Sequence, residues 1–173
     1  MPLSKDILNK YKKDIDIFIE TGTLFGSGID VALECKFTYI HSCEISEKLY
    51  LKCKEKYKEN NHIHLYNGNS PDILSHVLKY TDLKSLFWLD AHYSGGQTSM
   101  AEKKCPILDE LNEIKKHFIK VHTILIDDVR LFGTEAHDNI KISEITDLIL
   151  SINPNYKFTF ENDILVAEVQ NEH

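Results

Sequence analysis

Asp16-Ile-Phe-Ile-Glu20-Thr-Gly22-Thr-Leu-Phe-Gly26-Ser-Gly28 is the stretch on which the fold turns. A short β-rich run, DIFIE at 16–20, leads into three glycines spaced G-x-x-x-G-x-G and then into a helical pattern. Glycines at a strand-to-helix turn permit a tight reversal and close approach of a ligand to the backbone. The helix that follows offers free N–H groups. The spacing departs from the dinucleotide fingerprint G-x-G-x-x-G, and no Gly-Lys-Ser/Thr follows, so a P-loop is excluded by pattern.

Outward from this stretch the same alternation recurs. Further strands are expected at 37–44 (FTYIHSCE), 62–66 (HIHLY), 85–90 (SLFWLD), 122–127 (HTILID), 157–160 (KFTF) and 164–169 (ILVAEV). Between them lie helical patterns. Ile45, Leu49, Cys53 and Tyr57 recur every four residues, with Ser46 as N-cap. Ser70-Pro71-Asp72 reads as N-cap, N1 proline and first-turn acid ahead of Ile73, Leu74, Val77 and Leu78. Pro106 opens a helix with Ile107, Leu111, Ile114 and Phe118 on one face, and Ser143 opens one carrying Ile145, Leu148, Ile149 and Ile152. Strands separated by helices imply a parallel sheet covered on both faces. The last two strands are joined only by Glu161-Asn162 and Asp163, which implies an antiparallel hairpin at one edge. The expected fold is α/β and doubly wound, with Trp88 in its core.

The chain of 173 residues suits one domain spanning 1–173, large enough to bury roughly 70% of its unfolded surface without staples. Its 20 Lys+Arg against 27 Asp+Glu give a net charge of −7, which argues against nonspecific nucleic-acid binding despite the local basic stretch at 48–58. No apolar run reaches the ~18 residues of a membrane span, and Met1-Pro2-Leu3-Ser4-Lys5-Asp6 lacks a signal-peptide apolar block, so a cytoplasmic location is expected. Cys35, Cys43, Cys53 and Cys105 form no Cys-x-x-Cys pair and read as buried reduced thiols. His62 and His64 would share one strand face but have no third metal ligand nearby in sequence.

In doubly wound sheets, ligands bind outside the carboxyl ends of the strands. The residues at those ends are polar as a set: Glu20-Thr21-Gly22, Glu44, Asn67-Gly68-Asn69-Ser70, Asp90-Ala91-His92 and Asp127-Asp128. Each alone could be ordinary turn chemistry; five clusters at equivalent ends of five strands point to a site. Glu44 lies 22 residues past Gly22, where a carboxylate can accept both hydroxyl hydrogens of a ribose. An adenosine-type cofactor is therefore expected. One without a pyrophosphate suits a turn that begins with Glu20, since a phosphate would be repelled.

Glu20-Thr-Gly-Thr with its glycine-rich turn, Glu44, Asn69-Ser70 and Asp90 resemble the corresponding positions of class I S-adenosylmethionine-dependent methyltransferases. Three segments are more specific: Leu89-Asp-Ala-His-Tyr-Ser-Gly-Gly96, Cys105-Pro-Ile-Leu-Asp-Glu-Leu111 and Ile126-Asp-Asp-Val-Arg-Leu-Phe-Gly133. They are similar to small, cap-less methyltransferases of glycan modification, including viral enzymes that O-methylate rhamnose. If the source is a virus, the expected location is the host cytoplasm. The resemblance implies a Rossmann-like seven-stranded sheet ordered 3-2-1-4-5-7-6 and S-adenosyl-L-methionine as cofactor. It implies that Glu20, Thr21, Gly22, Thr23, Gly26 and Ser27 hold the methionine end and Glu44 the ribose. Ile45 would pack on adenine and Asn69-Ser70 would face its edge, with Asp90 also at the cofactor. Asn69 stands where an Asp is common.

Methyl transfer needs positioning and a nucleophilic hydroxyl. In one route Asp90, Asp127 and Asp128 bind Mg²⁺ or a similar hard cation, as in metal-dependent O-methyltransferases with a similar Asp and Asp-Asp pair. In the other, His92 or one of the acids, Asp90 or Asp128, acts directly as base. Tyr93 and Arg130, in the polar segments 93–104 and 129–142, are candidate acceptor contacts. Packing for Tyr93, and an ion pair with a nearby Asp for Arg130, are equally open. The acceptor is expected to be a glycan or small molecule, with a sugar hydroxyl in the lead. A non-sugar acceptor, or a non-catalytic cofactor-binding module needing a partner, are the alternatives. Exposed helices leave room for a homodimer.

Overall fold

The computed structural model describes residues 3–90 and 104–170. His92 and Tyr93 therefore lie outside the described residues. Seven strands form one sheet in the order β3-β2-β1-β4-β5-β7-β6. They are β1 (Ile17–Thr21), β2 (Tyr39–Glu44), β3 (Ile63–Asn67), β4 (Ser85–Leu89), β5 (Thr123–Ile126), β6 (Tyr156–Glu161) and β7 (Ile164–Val169). The first five are parallel, and β7 runs antiparallel to both β5 and β6. The hairpin turns on Asn162 (φ 51°) and Asp163 (φ 67°), the left-handed pair that matches the twist of two strands joined by two residues.

Helices α1 (Lys5–Lys12), α2 (Ser27–Glu34) and α3 (Glu47–Lys56) cover one face; α4 (Ser70–Leu78), α5 (Ile107–Lys116) and α6 (Ile142–Ile152) cover the other. Period-2 alternation divides each central strand between two cores. Ile17, Ile19, Phe87, Leu89, Ile124 and Ile126 pack toward α4–α6, whereas Phe18, Leu86, Trp88 and Leu125 pack toward α1–α3. The same parity aims Glu20 at α2 and Thr21 at α4 and α5. All four cysteines are free and buried. No helix among the described residues is long and apolar enough to cross a membrane.

Three local expectations need correction, and one helix was not expected at all. Helix α1 has no counterpart in the pattern reading; Ser4 caps it, accepting the Ile7 N–H at 3.3 Å. Helix α4 has Asn69 at its N-cap position, with Ser70 as its first residue and Pro71 in the first turn. Helix α6 begins one residue before Ser143, where Glu144 accepts the Lys141 N–H at 2.9 Å. Phe118 leaves the α5 stripe and is 70% exposed. The chain turns extended at His117, whose ring is claimed by a buried network with His122 (2.8 Å) and the Thr81 carbonyl (2.8 Å).

Candidate functional site

The glycine turn is stitched to the end of β2. The N–H groups of Gly22 and Thr23 donate to the Cys43 carbonyl at 3.0 and 3.1 Å. Gly26, at φ 83°, caps α2 in the left-handed region, and the Tyr57 hydroxyl lies 2.7 Å from both its carbonyl and Asp30 Oδ1. A side chain at Gly26 would collide with that Tyr57 ring.

Glu20 lies under the turn, not on its rim. It is 3% exposed, and Ser42 donates to its Oε2 at 2.6 Å. Gly28 closes over it so tightly that a Cβ there would stand 1.8 Å from Glu20 Oε1. Burial pushes the Glu20 carboxyl up to about 8, against the Ser42 hydrogen bond and with repulsion from Asp90, Glu44 and Asp30. Burial thus disfavours the charged form of the acid that the sequence placed at the turn.

Glu44 closes β2 and is 4% exposed. Its carboxylate accepts the Leu24 N–H at 2.9 Å and the Ser46 N–H at 2.8 Å, tying the glycine turn to the start of α3. Ile45 follows it in the connection to α3. Asn67, opposite Glu44 in the β2–β3 register, donates to the Glu44 carbonyl at 2.7 Å and brings the Asn69-Ser70 corner alongside.

Asp90, Asp127 and Asp128 offer oxygens that all lie within 4.8 Å of one another. Three carboxylates gathered this closely are of the donor chemistry that a hard cation such as Mg²⁺ takes. Asp90 is placed by its N–H, which donates to Thr21 Oγ1 at 3.2 Å, and Asp127 by its N–H, which donates to the Leu89 carbonyl at 3.2 Å. Burial, with the charges of Asp90 and Asp128, pushes the Asp127 carboxyl up to about 6. Asp128 adopts φ 55°, and its Oδ1 meets Arg130 Nη1 at 2.5 Å. Arg130 also pairs with Asp163, so it is bound to the hairpin and the acidic cluster.

Two residues that the sequence reading did not single out as site residues join this site. Glu110 is 1% exposed on α5, and with Asp90, Asp127 and His137 it lines a small cavity. Burial pushes its carboxyl up to about 7, against hydrogen bonds from the Ser70 and Thr21 side chains. The signal was present: 107, 110, 111 and 114 follow i, i+3, i+4, i+7, so an acid interrupts an apolar stripe. His137, fully buried against Phe132, had no such signal.

No protein-family model matches the chain, and no curated protein matches it. Solved structures do. An SAH-bound methyltransferase of Podospora anserina, PaMTH1, superposes with a TM-score of 0.64 at 12% identity, over 96% of this chain and 76% of that one. An O-methyltransferase of Bacillus cereus in complex with SAH gives 0.63 at 14%, over 96% and 78%. The fold is the Rossmann-like methyltransferase fold. The ribosomal protein L11 methylase of Lactobacillus delbrueckii subsp. bulgaricus shares it as well, with a TM-score of 0.56 at 14% identity, over 98% and 77%. A protein-modifying enzyme thus stands beside O-methyltransferases on one methyltransferase fold, which leaves acceptor choice to the site.

Proposed function

We propose that this chain is an S-adenosylmethionine-dependent O-methyltransferase whose acceptor is a sugar hydroxyl, on rhamnose or a related glycan residue. One observation carries the reading. Glu20, Glu44 and the Asp90–Asp127–Asp128 cluster converge on the carboxyl end of one sheet, in a fold shared with SAH-bound methyltransferases. The turn from Thr21 to Ser27 would receive the methionine end through its backbone, with Glu20 below it as a reserve of negative charge for a cationic cofactor. Glu44 would take the ribose hydroxyls, and Ile45, Asn69 and Ser70 the adenine. The sugar acceptor rests on the resemblance of segments 89–96, 105–111 and 126–133 to glycan-modifying methyltransferases.

In the reaction the acceptor oxygen attacks the methyl carbon in line with the breaking C–S bond. The bond's electron pair returns to sulfur and leaves a neutral thioether, while the hydroxyl proton passes to a base. Asp127, its carboxyl held at about 6, suits that role near neutral pH, and His92 is a further candidate outside the described residues. Asp90, Asp127 and Asp128 are also the residues that would hold Mg²⁺, which when bound would lower the pKa of the acceptor hydroxyl. Arg130 restrains Asp128, and so sets the outer wall of the acceptor side.

Calorimetry with S-adenosylmethionine, followed by a methyl-transfer screen over rhamnose, nucleotide sugars, oligosaccharides and phenols, tests this. Binding and transfer to a sugar are expected. Absence of binding would sink the methyltransferase reading, and transfer to phenols alone would sink the sugar acceptor. Full turnover in excess EDTA would remove the metal.

A further inference from the structure

A cluster of rings that the proposed reaction leaves unused lies toward the other end of the sheet. There β2 and β3, on the face they share with α4, form an open groove of about 240 Å³. Parallel register sets His41 of β2 beside His64 of β3, and their rings stack at 4.9 Å and 19°. Tyr66 continues the stack at 6.0 Å and 15° from His41, its hydroxyl 3.1 Å from His41 Nδ1. His76, on α4, meets the Tyr66 ring edge-on at 6.1 Å, and Tyr80 meets His76 at 5.3 Å. These rings are not gathered to fill the core. Tyr80 is 80% exposed, and Tyr39, which also lines the groove, is 44% exposed. Open aromatic faces collected on a surface mark a binding site.

The lining narrows the ligand. A metal does not fit, because stacked imidazoles turn their faces to one another; among the described residues the metal-competent cluster is the aspartate set. An anion finds no countercharge. Among the described residues no lysine or arginine lines the groove, whereas Asp82 does. Burial, then His64, lower the His41 pKa from 6.5 to about 4, so that ring is neutral at pH 7. A neutral sugar does find partners. Tyrosine faces pack against the C–H face of a pyranose, while imidazole nitrogens, phenol hydroxyls and the Asp82 carboxylate exchange hydrogen bonds with its hydroxyls.

We propose that this groove is a second carbohydrate site, which holds a neutral sugar residue of the acceptor glycan away from the reacting centre. The inference rests on the sugar-acceptor reading above. Tyr39 opens β2 and Leu83 precedes β4, so the groove lies about a strand length, roughly 15 Å, from the end where Glu44 and Asp90 stand. An acceptor that reaches both is an oligosaccharide, and its hold on the groove raises its effective concentration at the reacting end.

The test titrates the parent chain, Tyr80→Ala and His64→Ala with neutral rhamnose and glucose trisaccharides, a galacturonic acid trisaccharide and phenol. The readouts are the ring-proton NMR signals of His41 and His76, and methyl transfer to the rhamnose trisaccharide and to free rhamnose. Both replaced side chains are exposed, so thermal midpoints close to the parent's are expected. Saturable shifts with a neutral trisaccharide are expected, with affinity at least fivefold weaker in either variant. Turnover of free rhamnose should match the parent's, while the KM for the trisaccharide rises at least fivefold. Absence of saturable shifts, tighter binding of phenol or of the acidic trisaccharide, or affinity and KM within twofold of the parent in both variants overturns the inference and leaves the methyltransferase reading intact. Saturable sugar binding by a chain that transfers no methyl group to any sugar overturns the sugar-acceptor reading and the groove's part in acceptor binding.

Discussion

Replacing Gly28 by alanine sets two effects of opposite sign against each other. Gly28 is the second residue of α2, and alanine is the better helix former by about 1 kcal/mol. Against that gain stands Glu20, whose Oε1 would lie 1.8 Å and Cδ 2.9 Å from the new Cβ. Glu20 has little room to withdraw, since it is 3% exposed and its other oxygen is held by Ser42 at 2.6 Å. Overpacking of a filled interior costs about 1–3 kcal/mol. Parting Glu20 from Ser42 leaves a buried polar group unpaired, at about 1–3 kcal/mol more. Steric conflict therefore outweighs propensity, and a net loss of about 3 kcal/mol is expected, within a factor of two. In a chain of 173 residues that lowers the thermal midpoint by roughly 6–12 °C. The assay is thermal and urea unfolding at pH 7 of the parent, Gly28→Ala, Glu20→Ala and the double variant. In the Glu20→Ala background the clash is gone, so alanine at 28 should be neutral or stabilising by up to about 1 kcal/mol. A Gly28→Ala chain as stable as the parent, or an equal loss in both backgrounds, would refute the packing of Glu20 beneath α2.

Two further outcomes follow from buried polar groups. His122 is fully buried and accepts the Ser85 N–H at Nδ1, so its Nε2–H points to His117, whose own Nε2–H faces the Thr81 carbonyl. Burial, then His117, Lys84 and Lys120, lower the His122 pKa from 6.5 to about 3. The unfolded chain binds more protons in that window, so this stability is complete above pH 6.5 and is lost as pH falls toward 3. Between pH 7.5 and 5 the loss is about 2 kcal/mol, and the difference in urea midpoints between parent and His122→Asn should shrink as pH falls across that range. The comparison isolates His122 from Glu20, Glu110 and Asp127, whose raised carboxyls act with the opposite sign. Glu44→Ala removes the acceptor for the Leu24 and Ser46 N–H groups and should cost about 2–4 kcal/mol in urea unfolding; an unchanged midpoint would deny the carboxylate its hold on the turn.

The order of strands and helices was legible because it is written in local periodicity. Ile17, Phe18 and Ile19, or Phe87, Trp88 and Leu89, fill two opposite cores by alternation alone, and the hairpin is announced by two residues between two β-rich runs. Helix edges were less legible. Asn69, not Ser70, stands at the N-cap of α4, and α5 stops short of Phe118 because His117 is drawn into a buried pair with His122.

At the site the division is sharper. Sequence alone determined that acids and amides gather at the carboxyl ends of β1 to β5, since strand periodicity fixes where each strand stops. Only the tertiary structure decided what each of them faces. It turned Glu20 inward beneath Gly28, gave Asp128 to Arg130, grouped three aspartates within 4.8 Å and brought Glu110 to the cavity that Asp90 and Asp127 line. The reason is physical: a carboxylate's charge and partners depend on burial and on neighbours brought in from other elements, and no local pattern carries that information.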